Sequence, residues 1–189
     1  MTNASLSSNA PARRTPGLLL GPYYPLDRPA DAGSTLWSGP APIGARCLHL
    51  EGCVRSGDGT PLPEARIEMW QADPAGRYRH PSARDPTAVL DGFAGYGATR
   101  SGADGRFVFR SLVPGAYREG ATLRAPHLHL QITGRHDRLV TQLFLRGDVR
   151  NGADRWFSAI VHADRLLPDV VQDDADLLAL RWTAFLGRA

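Results

Sequence analysis

The chain has 189 residues, 42% hydrophobic and 22% charged, a composition that supports a folded core and argues against disorder. Its 22 basic residues are all arginine and are mixed with 19 acids for a net charge of +3. With no basic run and no aromatic signature of an RNA-binding sheet, nucleic acid is excluded as the expected partner. No apolar run reaches membrane-spanning length, and Met1 to Thr15 lack the continuous apolar stretch of a signal peptide, so a cytoplasmic protein without a membrane partner is expected.

In chain order, residues 1–45 read as a leader followed by an extended arm. Residues 1–16 are small and polar, whereas Leu18-Leu-Leu-Gly-Pro22-Tyr23-Tyr24-Pro25 is apolar and stiffened by proline, so the arm must lie on something. The core is expected over residues 46–150. Cys47 to Val54 alternates in polarity as a strand does; Ser56-Gly-Asp58-Gly59 reads as a tight turn, and Ala65 to Trp70 alternates again. Cys47 and Cys53 on one strand would stand roughly 20 Å apart, too far to pair. The loop Arg79 to Asp91 reads as surface near a site. A second unit follows, with the turn Ser101 to Gly105, the run Phe107-Val-Phe109, and Gly115-Ala-Tyr117. Both units, Arg55 to Tyr78 and Arg100 to Tyr117, contain Arg-Ser-Gly, then Asp-Gly, a strand and Gly-x-Tyr, and both read as hairpins.

The stretch Arg124-Ala-Pro-His127-Leu-His129-Leu-Gln131-Ile carries the chemistry. Side chains two apart on a strand share a face, so His127 and His129 stand side by side while Leu128, Leu130 and Ile132 line the other face. Pro126, lacking an N–H, fits only the strand's start. Leu139 to Leu145 alternates next, and Gln142, set among apolar neighbours, needs a partner if buried. In the remainder, 151–189, the spacings over Asn151 to His162 and Asp173 to Leu186 are helix-compatible, although Leu178 to Leu186 also fits a strand. The expected fold is all-β: a β-sandwich core with an extended N-terminal arm and a short, partly helical C-terminal tail, in a single domain over 1–189.

A metal against His127 and His129 needs further donors. No glutamate follows the second histidine as in a cupin, the His-x-His-x-Asp-His pattern of zinc hydrolases is broken by Gln131 and Ile132, and no Cys-x-x-Cys exists. Two tyrosines remain, Tyr78 and Tyr117. Either alone reads as a half-buried aromatic. Beside the histidine pair they read as phenolate ligands, and a phenol of reference pKa about 10 yields its proton near neutral pH only to a strong Lewis acid such as trivalent iron.

These residues carry a resemblance. Gly59-Thr-Pro-Leu-Pro-Glu-Ala-Arg-Ile-Glu-Met-Trp70 through Tyr78, Asp104-Gly-Arg-Phe-Val-Phe-Arg110 through Tyr117, Arg124-Ala-Pro-His127-Leu-His129 and Thr141-Gln142-Leu-Phe144 resemble the intradiol ring-cleavage dioxygenases, the protocatechuate-cleaving members above all. The resemblance implies that Tyr78, Tyr117, His127 and His129 hold non-haem Fe(III), that Tyr117 is the ligand that leaves, and that Arg124 and Gln142 act beside the substrate. It implies that a catechol is cleaved by O2 between its hydroxylated carbons to a cis,cis-muconate. Pro22, Tyr23, Tyr24, Arg118, Glu119 and Ile160 are the implied substrate pocket, although the family pattern has a tryptophan two residues after Tyr117 where this chain has Glu119. A para-substituted catechol, with protocatechuate first, is the expected substrate. In the protocatechuate enzymes a second subunit lends a Gly-Pro-Tyr segment to the pocket; here Gly21-Pro22-Tyr23 lies in the same chain, which favours a homo-oligomer over a heteromer. The helical dimerisation domain of catechol 1,2-dioxygenases is not expected. The alternative class is a transthyretin-like β-sandwich that binds or scaffolds, which would not require the His-x-His strand.

Overall fold

The computed structural model describes residues 14–83 and 85–187. The expected leader over 1–16 falls almost wholly outside them.

Ten strands form two four-stranded sheets and a small ribbon. The first sheet has the order β4 (Arg106–Leu112), β1 (Cys47–Arg55), β10 (Leu177–Phe185), β9 (Asp169–Asp173). The second has the order β3 (Tyr96–Arg100), β2 (Arg66–Trp70), β7 (His127–Thr133), β8 (Arg138–Phe144), and β5 (Tyr117–Glu119) pairs with β6 (Thr122–Arg124). Alternation makes the sandwich: on β1 the residues Leu48, Leu50 and Val54 are buried, and on β7 Leu128, Leu130 and Ile132 face them across one continuous core. The expected all-β sandwich is therefore the observed fold.

Two details differ from the sequence reading. Neither turn pairs its two flanking strands: beyond a local antiparallel bridge, Arg55 to Pro61, around the first turn, β1 and β2 lie in different sheets, as do β3 and β4, so both turns are corners where the chain changes layer. The shared Arg-Ser-Gly serves that corner. Ser101, buried, donates from Oγ to Leu62 O at 2.7 Å and accepts from Ala65 N at 3.0 Å, while Val54 N donates to Gly105 O at 2.8 Å, so the second turn is bonded to the first unit. The helical reading of Asp173 to Leu186 is also overturned. The residues form β10, parallel to β1 with Leu178, Leu180, Trp182 and Ala184 buried, and the only α-helical turn among the described residues is α1 (Arg155–Ser158). Period-two burial between two hydrogen-bonded neighbours outweighs the helical spacing of Leu177, Leu180 and Ala184.

The arm lies along the outer edge of the second sheet. Leu18 N donates to Val140 O at 2.8 Å and Thr141 Oγ1 to Pro16 O at 2.9 Å, which covers the free edge of β8 and delivers residues 20–24 to the histidine face of β7.

Candidate metal centre

Four elements converge on one buried point. Strand β7 contributes His127 and His129, whose Nε2 atoms are 3.1 Å apart. Across the sheet His129 lies opposite both Trp70 and Gln142, and the Trp70 indole stacks on its ring at 4.9 Å and 11°, fixing its plane. Tyr117, first residue of β5, places its Oη 3.5 Å from His127 Nε2.

Tyr78 comes from the loop after β2, and Asp73 shapes that loop. Its buried carboxylate accepts from Ala75 N and Arg77 N at 2.9 Å and from Arg77 Nε and Leu90 N at 3.0 Å. The loop rests directly on the chain that leads to Tyr117: Gly76 has φ +79°, and a Cβ there would meet Ala116 O at 2.1 Å. The two phenol rings thereby meet edge to face at 5.2 Å, and Tyr78 lies 6.2 Å from His129.

Burial sets the protonation of these donors. It pushes His127 down to about 4, helped by the positive charge of Arg124, and holds His129 well below the ordinary imidazole range, so both are neutral at neutral pH. Ala125 O can only accept, so the 2.6 Å contact to His127 Nδ1 places the hydrogen there and leaves Nε2 with its lone pair toward the centre. Burial also raises both phenols well above the ordinary phenol range, Tyr117 despite the opposing influence of Arg124. Without a Lewis acid both stay protonated.

The donor set fits a ferric ion. Tyr78 Oη is buried with no hydrogen-bond partner, and such an orphaned hydroxyl costs about 1–3 kcal/mol unless something fills its place. No three His, Cys, Asp or Glu side chains converge among the described residues, so the donors around the histidine pair are the two phenols. Hard oxygen donors with two imidazoles suit Fe(III) better than softer or larger ions.

Arg124 and Gln142 stand beside this set. Arg124 Nη2 donates to Gln142 Oε1 at 2.7 Å, Nη1 lies 3.4 Å from Tyr117 Oη and from Glu119 Oε2, and Nε donates to Asp154 Oδ2 at 2.9 Å. A cleft of about 510 Å³ opens onto Tyr78 and Tyr117, bounded by Tyr23, Ala83, Ala116 and Arg118. Tyr23 stacks on Tyr78 at 4.6 Å and 28°.

Three expected pocket residues lie elsewhere. Pro22 is exposed beside the arm's bend. Tyr24 packs edge to face on Trp70 at 4.9 Å, with its hydroxyl 3.3 Å from Glu68 Oε1, on the far side from the cleft. Ile160 packs with Phe144 and Leu166 outside the cleft's lining, on the same face of the sheet as His127, whose ring Phe144 meets at 5.5 Å. Pro22 and Tyr23 form a turn after Gly21, and the chain leaves it with Tyr23 on Tyr78 and Tyr24 on Trp70. Trp70, Asp73 and Asp154 were missed. Only Asp154 had a local signal, since an aspartate just before a short helical run is an N-cap signature.

A family model described as "Dioxygenase" (Dioxygenase_C) matches residues 19–186. The protocatechuate 3,4-dioxygenase beta chain of Burkholderia cepacia is 34% identical over 133 residues, 67% of this chain and 56% of that one. The hydroxyquinol 1,2-dioxygenase of Nocardioides simplex is 31% identical over 164 residues, 78% and 53% of the two chains. Among solved structures, the dioxygenase domain of a dioxygenase carbohydrate-binding protein fusion from Streptomyces sp. SirexAA-E superposes with a TM-score of 0.74 at 29% identity, covering 93% of this chain and 99% of that one. This chain spans about half the length of these two curated relatives. It belongs to the intradiol ring-cleavage dioxygenase family, a family whose members generally depend on non-haem iron.

Proposed function

We propose that the protein is a ferric, non-haem intradiol dioxygenase that opens a para-substituted catechol between its hydroxylated carbons, with Tyr78, Tyr117, His127 and His129 as iron ligands. The observation that carries this reading is the convergence of two neutral imidazoles and two buried phenols, one of them with no partner of its own. A scaffold of the transthyretin kind has no use for that set.

When bound, ferric iron supplies the Lewis acidity that makes the phenols and an entering catechol anionic near neutral pH. The protein's residues do the rest. Tyr117 is the better placed to leave, because Arg124 Nη1 offers its oxygen another partner at 3.4 Å. Its freed Oη takes one substrate proton. Arg124, permanently charged and desolvated, stabilises the negative charge that builds on the ring as dioxygen attacks. Tyr23 and the cleft walls hold the ring and exclude water.

The cleft's small walls at Ala83 and Ala116 leave room beyond a bare catechol, and Arg118 at its edge offers a cation to a ring carboxylate, which supports protocatechuate as the first candidate. The arm, seated on the same chain's own site, supports a self-contained active site in a homo-oligomer. Cytoplasmic location is part of the same reading; among the described residues no helix is long and apolar enough to cross a membrane.

The test is the visible spectrum of iron-loaded protein before and after anaerobic addition of protocatechuate. A broad tyrosinate-to-iron band that moves to longer wavelength with substrate is expected. A protein that stays colourless after ferric reconstitution would overturn the reading, and faster turnover of catechol or hydroxyquinol would overturn the substrate alone.

A further inference from the structure

Arg124 is nearly out of water, its side chain 3% exposed, and the Asp154 carboxylate that meets it is fully buried. A buried guanidinium needs an anion and an acceptor on each edge. Two edges are firmly bonded: Nε to Asp154 Oδ2 at 2.9 Å and Nη2 to Gln142 Oε1 at 2.7 Å. Nη1 has only contacts of 3.4 Å, to Tyr117 Oη and Glu119 Oε2, at the limit of hydrogen bonding. It is the edge left for a substrate.

Asp154 ties together more than the guanidinium. Its Oδ2 also accepts from Ala125 N at 2.9 Å, and Ala125 O in turn takes the His127 Nδ1 hydrogen at 2.6 Å. Its Oδ1 accepts from Trp156 N at 2.9 Å and Phe157 N at 3.3 Å, capping α1, and Phe157 packs at 4.9 Å on Phe144, the residue opposite His127. One carboxylate therefore fixes the guanidinium, the entry to β7 and the segment that packs beside His127 through Phe144.

We propose that Asp154 is a positioning residue of the site, holding Arg124 so that Nη1 faces Tyr117 and the bound catecholate. The proposal rests on the dioxygenase reading for the role of Arg124, but not for the pairing itself. A plain N-cap is the competing explanation, and the two separate under one substitution. Asparagine caps as well as aspartate does but carries no charge.

The experiment is a double-mutant cycle of Asp154→Asn and Arg124→Ala, read in two ways. In iron-loaded protein, Asp154→Asn is expected to keep the tyrosinate band while kcat falls about 10- to 100-fold with little change in KM; in the Arg124→Ala background it should lower kcat no further. A wild-type kcat, or the same loss in both backgrounds, overturns the proposal. In iron-free protein, Arg124→Ala strands a buried carboxylate and should lower Tm by about 10 °C, and adding Asp154→Asn should recover a large part of that loss. Equal Tm changes from Asp154→Asn in both backgrounds would show no coupling to Arg124 and overturn the pairing, and an unchanged Tm in both would make Asp154 a cap alone. If Asp154→Asn by itself does not fold, the comparison of Arg124→Ala with the double variant still reads the pair. If the wild type turns over no catechol, the functional reading falls and the thermal cycle still decides the pairing.

Discussion

Tyr78 concentrates the conflict between stability and chemistry in one atom. Its hydroxyl is buried with no partner, while burial holds the phenol protonated. Replacing it with phenylalanine removes an unsatisfied group and keeps the ring that stacks on Tyr23 and meets Tyr117. Iron-free Tyr78→Phe is therefore expected to be at least as stable as iron-free wild type, by up to about 1–3 kcal/mol or several degrees in Tm. The same variant should bind iron weakly and lose most of its visible band. A drop in the Tm of the iron-free variant would mean that the hydroxyl has a structural partner. At this scale the sequence was legible where chemistry recurs at fixed spacing. His127 and His129 follow from the two-residue period of a strand, and the tyrosines from their place after each Gly-x. Asp154 was not legible as a partner of Arg124, because thirty positions separate them and only the packed fold brings them together.

Elements place those residues, and the arm tolerates little change where it crosses the histidines. Gly21 has φ +80°, and a Cβ there would lie 3.1 Å from Cε1 of His129. Beyond it, Tyr24 and Arg28 anchor the arm through the Tyr24 hydroxyl, which accepts from Arg28 Nη1 at 2.6 Å and reaches Glu68 at 3.3 Å. Gly21→Ala should therefore cost about 1–2 kcal/mol from backbone strain and push the arm off the ligand. The expected outcome is a modest fall in Tm with a rise in KM and a shifted charge-transfer band, measured on iron-loaded protein. An unchanged spectrum and KM would show that the arm can relax without moving Tyr23. That an apolar, proline-rich arm must lie on something was readable from composition; that it covers β8 was not, since an edge is a property of the sheet. The same holds for β10. Leu178, Leu180, Trp182 and Ala184 alternate as clearly as any strand, but parallel pairing with β1 joins residues 130 apart and leaves no local turn signal.

At the level of the whole molecule, the site and the core are separate. The main core fills the space between the two sheets, from Leu48 and Phe109 to Leu128 and Leu180, whereas Trp70, Tyr78, Tyr96 and Tyr117 form a second cluster on the outer face of β2 and β7 under the arm. Small metal-dependent domains unfold without their ion because the ion is their core. Here the core stands without one. Removing iron with a chelator should therefore leave the β-sheet circular dichroism intact and cost only the free energy of binding. At a free iron concentration about 100 times Kd that is about 2.7 kcal/mol, or roughly 5–10 °C in Tm for a chain of this size. Reconstitution with ferric ion should restore both Tm and colour. Cooperative loss of the sheet signal on chelation would show instead that the two clusters fold as one unit and that the four ligands are needed to close the sandwich. A preserved sandwich with a lowered Tm would place the whole contribution of the metal in the outer cluster around Tyr78 and Tyr117, as the proposed ligand set requires.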